Sequence, residues 1–191
     1  YKLDADKIKT ATFLVMTQNK MAVMAFDSYY KAARRKDYSG LYLLQLMFDL
    51  FMKKIIWGEM CEKGISADWQ PGTDYRNMLR QEGENTTLGP NMSLLLWGSA
   101  SGWNKTLIPE EYRKPALSTT ETLIVSGDLD VATPTQSATE QLLPTLSSGH
   151  QLILKNMSHG DIANAQPEAY TRLLNNFYDS GMIDSTAFVT Q

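Results

Sequence analysis

The chain has 191 residues, a formal charge of −3 with both histidines neutral, and 43% hydrophobic residues. This length buries a core as one large domain or two small ones. The charge, with no basic stripe beyond Lys31–Lys36, excludes a nucleic-acid surface, and no run reaches the ~20 apolar residues of a membrane span.

Asp4 is placed to cap a first helix through Ile8, Ala11, Leu14 and Val15. A second helix is predicted over residues 20–35, with Met21, Met24, Ala25 and Ser28 on one face and a basic end suited to the helix dipole. Lys36–Gly40 breaks the pattern. A third, long helix is predicted from Leu41 to Met60, ending near Gly64, with Gln45, Asp49, Lys53 and Lys54 as its wet stripe. Cys61 is the single cysteine, so no internal disulfide forms, and its apolar neighbours mark it as a packed residue. Residues 66–90 read as a loop punctuated by Pro71-Gly72, Gly83 and Gly89-Pro90, with one short helix around residues 75–80. Leu94–Trp97 is a short apolar run. Residues 98–118 return to loop, with Pro109 and Pro115. Glycosylation tripeptides at Asn85, Asn91, Asn104 and Asn156 carry little weight, because such tripeptides are common by chance.

From Thr122 the pattern alternates. Leu123-Ile124-Val125 is a strand. Thr133 as N-cap, Pro134 at the first position and Gln136 closing a capping box predict a helix to about Leu146, with Pro144 in its last turn. Residues 151–154 form a second strand. Pro167 opens a last helix with Tyr170, Leu173, Leu174 and Phe177 on one face, stopped by Gly181. Strand, helix, strand, helix is a βαβα unit with two parallel strands, which reads as the edge of a larger sheet. The expected fold class is therefore α/β: a mostly helical region over residues 1–91, then a βαβα region over residues 92–191.

Reactive groups in open parallel sheets gather beyond the carboxyl ends of the strands. Asp130 follows the first strand and His159 follows the second. A carboxylate bonded to an imidazole fixes its tautomer and stabilises the imidazolium formed when it takes a proton. Asp128 reads as a turn acid, Asp161 as a turn cap and His150 as structural. Two histidines are too few to suggest a metal site, and no cofactor is expected.

The stretch from Ser118 through Thr122-Leu123-Ile124-Val125-Ser126-Gly127-Asp128-Leu129-Asp130 to Thr133-Pro134 resembles the closing section of the α/β-hydrolase fold. There a strand ends in G-x-x-D and the Asp is the triad acid. Met157-Ser158-His159-Gly160-Asp161 resembles that family's triad-histidine loop. Gly102-Trp103 ahead of the strand, and the closing helix followed by Gly181, are similar to the tripeptidyl-aminopeptidase and prolyl-iminopeptidase-like serine peptidases. The resemblance covers about residues 92–181. It implies the C-terminal part of a serine peptidase, with Asp130 and His159 catalytic and the preceding region its helical lid. It also implies an extracellular or periplasmic location, although the cysteines that secreted relatives often carry are absent. Glu59 and Glu62 in the presumed lid are candidates to hold a substrate's α-ammonium group.

The family's nucleophile stands in G-x-S-x-G, ahead of the acid. The near match here, Gly98-Ser99-Ala100-Ser101-Gly102, has alanine at its centre and leaves no room for a lid before Asp130. The nucleophile is therefore expected upstream of Tyr1, in a missing N-terminal half. A chain starting at Tyr1, without a signal peptide, is expected to be a processed product or an excised piece. The partners expected are a peptide or small-molecule substrate, that upstream half, and a second copy of the chain to cover the sheet edge. Esterase or epoxide-hydrolase chemistry, and a non-catalytic binding module with remnant Asp and His, stay open as alternatives.

Overall fold

The computed structural model describes residues 2–83 and 86–189, so Asn85 lies outside the described residues. The protein is mixed α/β, with a single two-stranded parallel sheet among the described residues. It divides into two compact units. The first holds the residues up to Leu14 together with Met24–Lys114, and the second holds Val15–Val23 together with the chain from Pro115 onward. The sequence boundary at residues 91/92 thus differs from the packing boundary at 114/115.

In the first unit, α1 (Ala5–Val15) starts as expected: Asp4 Oδ1 accepts the Asp6 and Lys7 amides at 3.0 and 3.1 Å. Helix α2 (Asn19–Arg35) follows, its residues up to Val23 counted with the second unit, with Ala25 and Ala32 buried and Met24 exposed. Helix α3 (Ser39–Met52) is shorter than predicted. After Met52 the Lys54 amide reaches back three residues, to the Phe51 carbonyl, and Ile56 turns to φ −85°, ψ 88°. The β-branched pair Ile55-Ile56 does not favour continuing the helix. The chain restarts as the single turn α4 (Trp57–Glu59), which widens into a π-helical turn over Met60–Gly64.

The expected wet stripe holds only in part: Lys53 and Lys54, just past α3, are exposed, whereas Gln45 is buried beside Leu41 and Leu44. Gln45 is 4% exposed, and its Oε1 accepts the Asp4 amide at 2.7 Å while Asp49 pairs with Lys7 at 2.7 Å. Leu43, Leu46, Met47, Leu50 and Phe51 face outward instead. Cys61, Ile65 and Ala100 form a small core covered by Trp57, Trp69 and Trp97. Two short helices complete the unit: α5 (Tyr75–Gly83), close to expectation, and α6 (Asn91–Ala100). The apolar run Leu94–Trp97 is thus helical, and Gly98–Gly102 is the end of α6 and the turn after it, not a strand-to-helix elbow.

The second unit carries the βαβα pattern. Strand β1 (Thr122–Gly127) pairs in parallel with β2 (Gly149–Leu154), in register from Thr122 opposite Gly149 to Gly127 opposite Leu154. The connection is not one helix. It is the single turn α7 (Thr135–Ser137), a π-helical turn over Ala138–Leu142 and a 3₁₀ turn over Leu143–Thr145. Pro144 explains the loss of regularity, because its ring would clash with the carbonyl four residues back in an α-helix and it has no amide to donate. The capping box is absent too: Gln136 donates to Glu140 at 2.6 Å. After the short α8 (Asp161–Asn164), α9 (Pro167–Ser180) buries Ala169 and Leu173, and Gly181 at φ 70° supplies the left-handed stop.

A two-stranded parallel sheet leaves two strand edges without ladder partners, and the outward face of α3 is apolar. The isolated chain is expected to self-associate. Sedimentation velocity should show a dimer or higher species growing with concentration, and a strict monomer across the accessible range would contradict this.

Candidate active site

The ladder does not stop at the strand ends. The Asp128 amide donates to the Leu154 carbonyl at 3.0 Å, and the Leu129 amide donates to the Met157 carbonyl at 3.0 Å. These bonds press the turn after β1 against the turn after β2. Gly127 makes that approach possible, since a Cβ there would collide with the Met157 carbonyl.

The turn after β1 is built around Asp130, whose side chain is 1% exposed. Its Oδ1 accepts the Ala132 and Thr133 amides, both at 2.8 Å. Its Oδ2 accepts the Thr133 hydroxyl at 2.7 Å and lies 3.0 Å from His159 Nδ1. Burial raises the pKa of this carboxyl, but the Thr133 amide and hydroxyl, His159 and the Ala132 amide together outweigh it and hold the pKa below the ordinary aspartate value.

The turn after β2 is built around a second aspartate. Asp161 Oδ2 accepts the Ser158 amide at 3.2 Å and the Asn19 amide at 3.1 Å. The buried Ser158 hydroxyl sits 2.6 Å from the same oxygen and 2.8 Å from the Thr17 carbonyl, so its one proton serves either. The Gly160 amide donates to the Thr17 carbonyl at 2.6 Å. Residues 17–19, from the segment of the chain before β1 that joins this unit, thus strap down both flanks of His159. The expectation of Asp161 as a turn cap matches this geometry.

The result is an imidazole held at one nitrogen and open at the other. His159 is half exposed, and among the described residues its Nε2 makes no hydrogen bond. Nδ1 faces an ionised carboxylate, so in the neutral imidazole Nδ1 carries the proton and Nε2 the lone pair. Such a nitrogen can take a proton from a nucleophile, and the carboxylate then stabilises the imidazolium.

Asp128, the other acid of the first turn, pairs with Lys155 at 3.6 Å, and His150 is an exposed strand residue. Glu59 and Glu62 belong to the first unit. Glu59 pairs with Lys63 at 3.6 Å and is largely exposed, while Glu62 accepts the Thr106 hydroxyl at 3.2 Å. Burial pushes the Cys61 thiol pKa up despite the Lys105 charge, which suits a packed residue. Ala100, the centre of the near-elbow motif, is fully buried against Cys61 and Ile65. A polar cavity of about 370 Å³ in the second unit is lined by Lys20, Lys155, Asn156 and Asp161 among others, but by neither Asp130 nor His159. Among the described residues no group of three or more His, Cys, Asp or Glu is placed to hold a metal ion, and no helix is long and apolar enough to cross a membrane.

The chain matches no family model, no curated protein and no solved structure. Thr133, which the sequence presents as a helix cap, is instead part of the site. The signal was present in Asp130-Val131-Ala132-Thr133, the local pattern in which an aspartate accepts amides two and three residues on.

A carboxyl whose native pKa lies below its unfolded value stabilises the fold above the unfolded value. That contribution is lost as pH falls through the native one. Asp130→Asn puts an NH₂ group against donors and should cost about 1–3 kcal/mol at neutral pH. The gap to the native chain should narrow below about pH 4. Thermal melts of both chains from pH 7 to pH 2 check this, and a constant gap would contradict it.

Proposed function

We propose that this chain is the C-terminal part of a serine hydrolase of the α/β-hydrolase type, with Asp130 as the orienting acid and His159 as the general base. The nucleophilic serine and the oxyanion donors would come from an N-terminal half of the same protein. The observation that carries this reading is the imidazole bonded at Nδ1 to a buried carboxylate, with Nε2 open. In this reading His159 takes the serine proton as the acyl-enzyme forms, returns it to the leaving group, and then activates water for deacylation.

Within that class the reading is an aminopeptidase that releases N-terminal residues or short peptides. Its support is the resemblance of residues 92–181 and the acids Glu59 and Glu62, which would hold the substrate's α-ammonium from the lid. The outward Leu43, Leu46, Leu50 and Phe51 and the unpaired sheet edges agree with a chain that is normally covered by more protein.

The test is peptide hydrolysis by the protein extended upstream through a G-x-S-x-G segment. His159→Ala and Asp130→Asn should each lower kcat about 10⁴-fold with little change in KM. The combined Glu59→Gln, Glu62→Gln change should raise KM at least tenfold for substrates with a free α-amino group, as expected for loss of about 1.5–3 kcal/mol of charge-assisted bonding. It should leave N-blocked ester substrates unaffected. Full activity without His159 would overturn the hydrolase reading. Equal KM effects on free and blocked substrates would overturn the aminopeptidase reading alone.

A further inference from the structure

Thr133 supplies two of the four hydrogen bonds on the Asp130 carboxylate. Its hydroxyl oxygen also lies 3.1 Å from His159 Nδ1. A hydroxyl has one proton. At 2.7 Å from the ionised Asp130 Oδ2, that proton is committed to the carboxylate. The oxygen's lone pairs are then what Nδ1 meets. The Nδ1–H therefore lies between two acceptors, Asp130 Oδ2 at 3.0 Å and Thr133 Oγ1 at 3.1 Å.

We propose that Thr133 is a positioning residue for His159. Its hydroxyl oxygen gives the Nδ1–H a second acceptor beside Asp130 Oδ2 and so pins the Nδ1–H tautomer, which leaves the Nε2 lone pair outward. The functional meaning rests on reading His159 as the base, but the tautomer follows from the hydrogen bonds alone.

Without the hydroxyl, the Nδ1–H keeps one acceptor, Asp130 Oδ2, and its tautomer is held less firmly. The neighbouring charges have partners of their own that the change leaves in place: Asp161 on the same turn is bonded to Ser158 and Asn19, and Asp128 on the facing turn is paired with Lys155. A threonine that served only to shape the loop through its amide would leave the tautomer unchanged when the hydroxyl alone is removed.

The experiment is ¹⁵N NMR of the ring nitrogens of the neutral histidines in this chain, with Thr133→Val and Thr133→Ser. Thr133→Val should move His159 from the Nδ1–H form toward a mixture of the two neutral tautomers. Thr133→Ser, which keeps the hydroxyl, should restore the Nδ1–H form, and the His150 signals should be the same in all three chains. An unchanged Nδ1–H fraction in Thr133→Val overturns the proposal. Where Thr133→Val does not fold, the native chain decides. A Thr133 hydroxyl proton protected from exchange, with His159 protonated at Nδ1, supports the proposal. A freely exchanging hydroxyl with Nδ1 unprotonated overturns it. Each of these results can be read whether or not the intact protein hydrolyses peptides.

Discussion

A buried carboxylate must be satisfied in full, because leaving water costs an ionised group several kcal/mol. Asp130 meets this demand with three donors from its own turn and one from His159, which lies 29 residues further along the chain. The three local donors fix the carboxylate before the distant one is added. His159 arrives on a turn that is fixed separately, through Asp161, Ser158 and Thr17. Two aspartate-centred turns are thus set face to face at the carboxyl ends of two parallel strands. Gly127 is what lets their backbones touch. The arrangement depends little on the irregular connection between the strands, so the site survives a π-helical and a 3₁₀ turn where a regular helix was expected.

The same competition between polar satisfaction and apolar burial decides the first unit. Helix α3 buries Gln45 and holds Asp49 against Lys7, while Leu43, Leu46 and Leu50 face outward. A glutamine that accepts the Asp4 amide just ahead of α1 and a carboxylate paired with a lysine turn these polar groups inward. The apolar side is left as an exposed surface.

The site was legible in the sequence because strand ends and turns are written locally. A β-branched run, a glycine and an aspartate predict where a carboxylate emerges, and the next strand predicts where a histidine joins it. The parallel pairing, the Asp4 cap of α1 and the Gly181 stop of α9 are local in the same way. What was missed depends on partners distant in sequence or on one disruptive residue. The period-four pattern in α3 shows two faces but not which one turns inward, since Gln45 finds its partners at Lys2 and Asp4. The connecting helix broke on Pro144. The sequence neighbours of Thr133 fit a helix cap, whereas its hydroxyl is held by a carboxylate three residues earlier.

The central claim is that His159 serves a serine that lies outside residues 1–191. Fluorophosphonates react with serines activated by a neighbouring base, so labelling of the upstream-extended protein, followed by peptide mapping, addresses it directly. The account predicts one adduct, on the serine of a G-x-S-x-G segment outside these 191 residues, and none after His159→Ala. An adduct on a serine within this chain, or labelling that persists without His159, would contradict it.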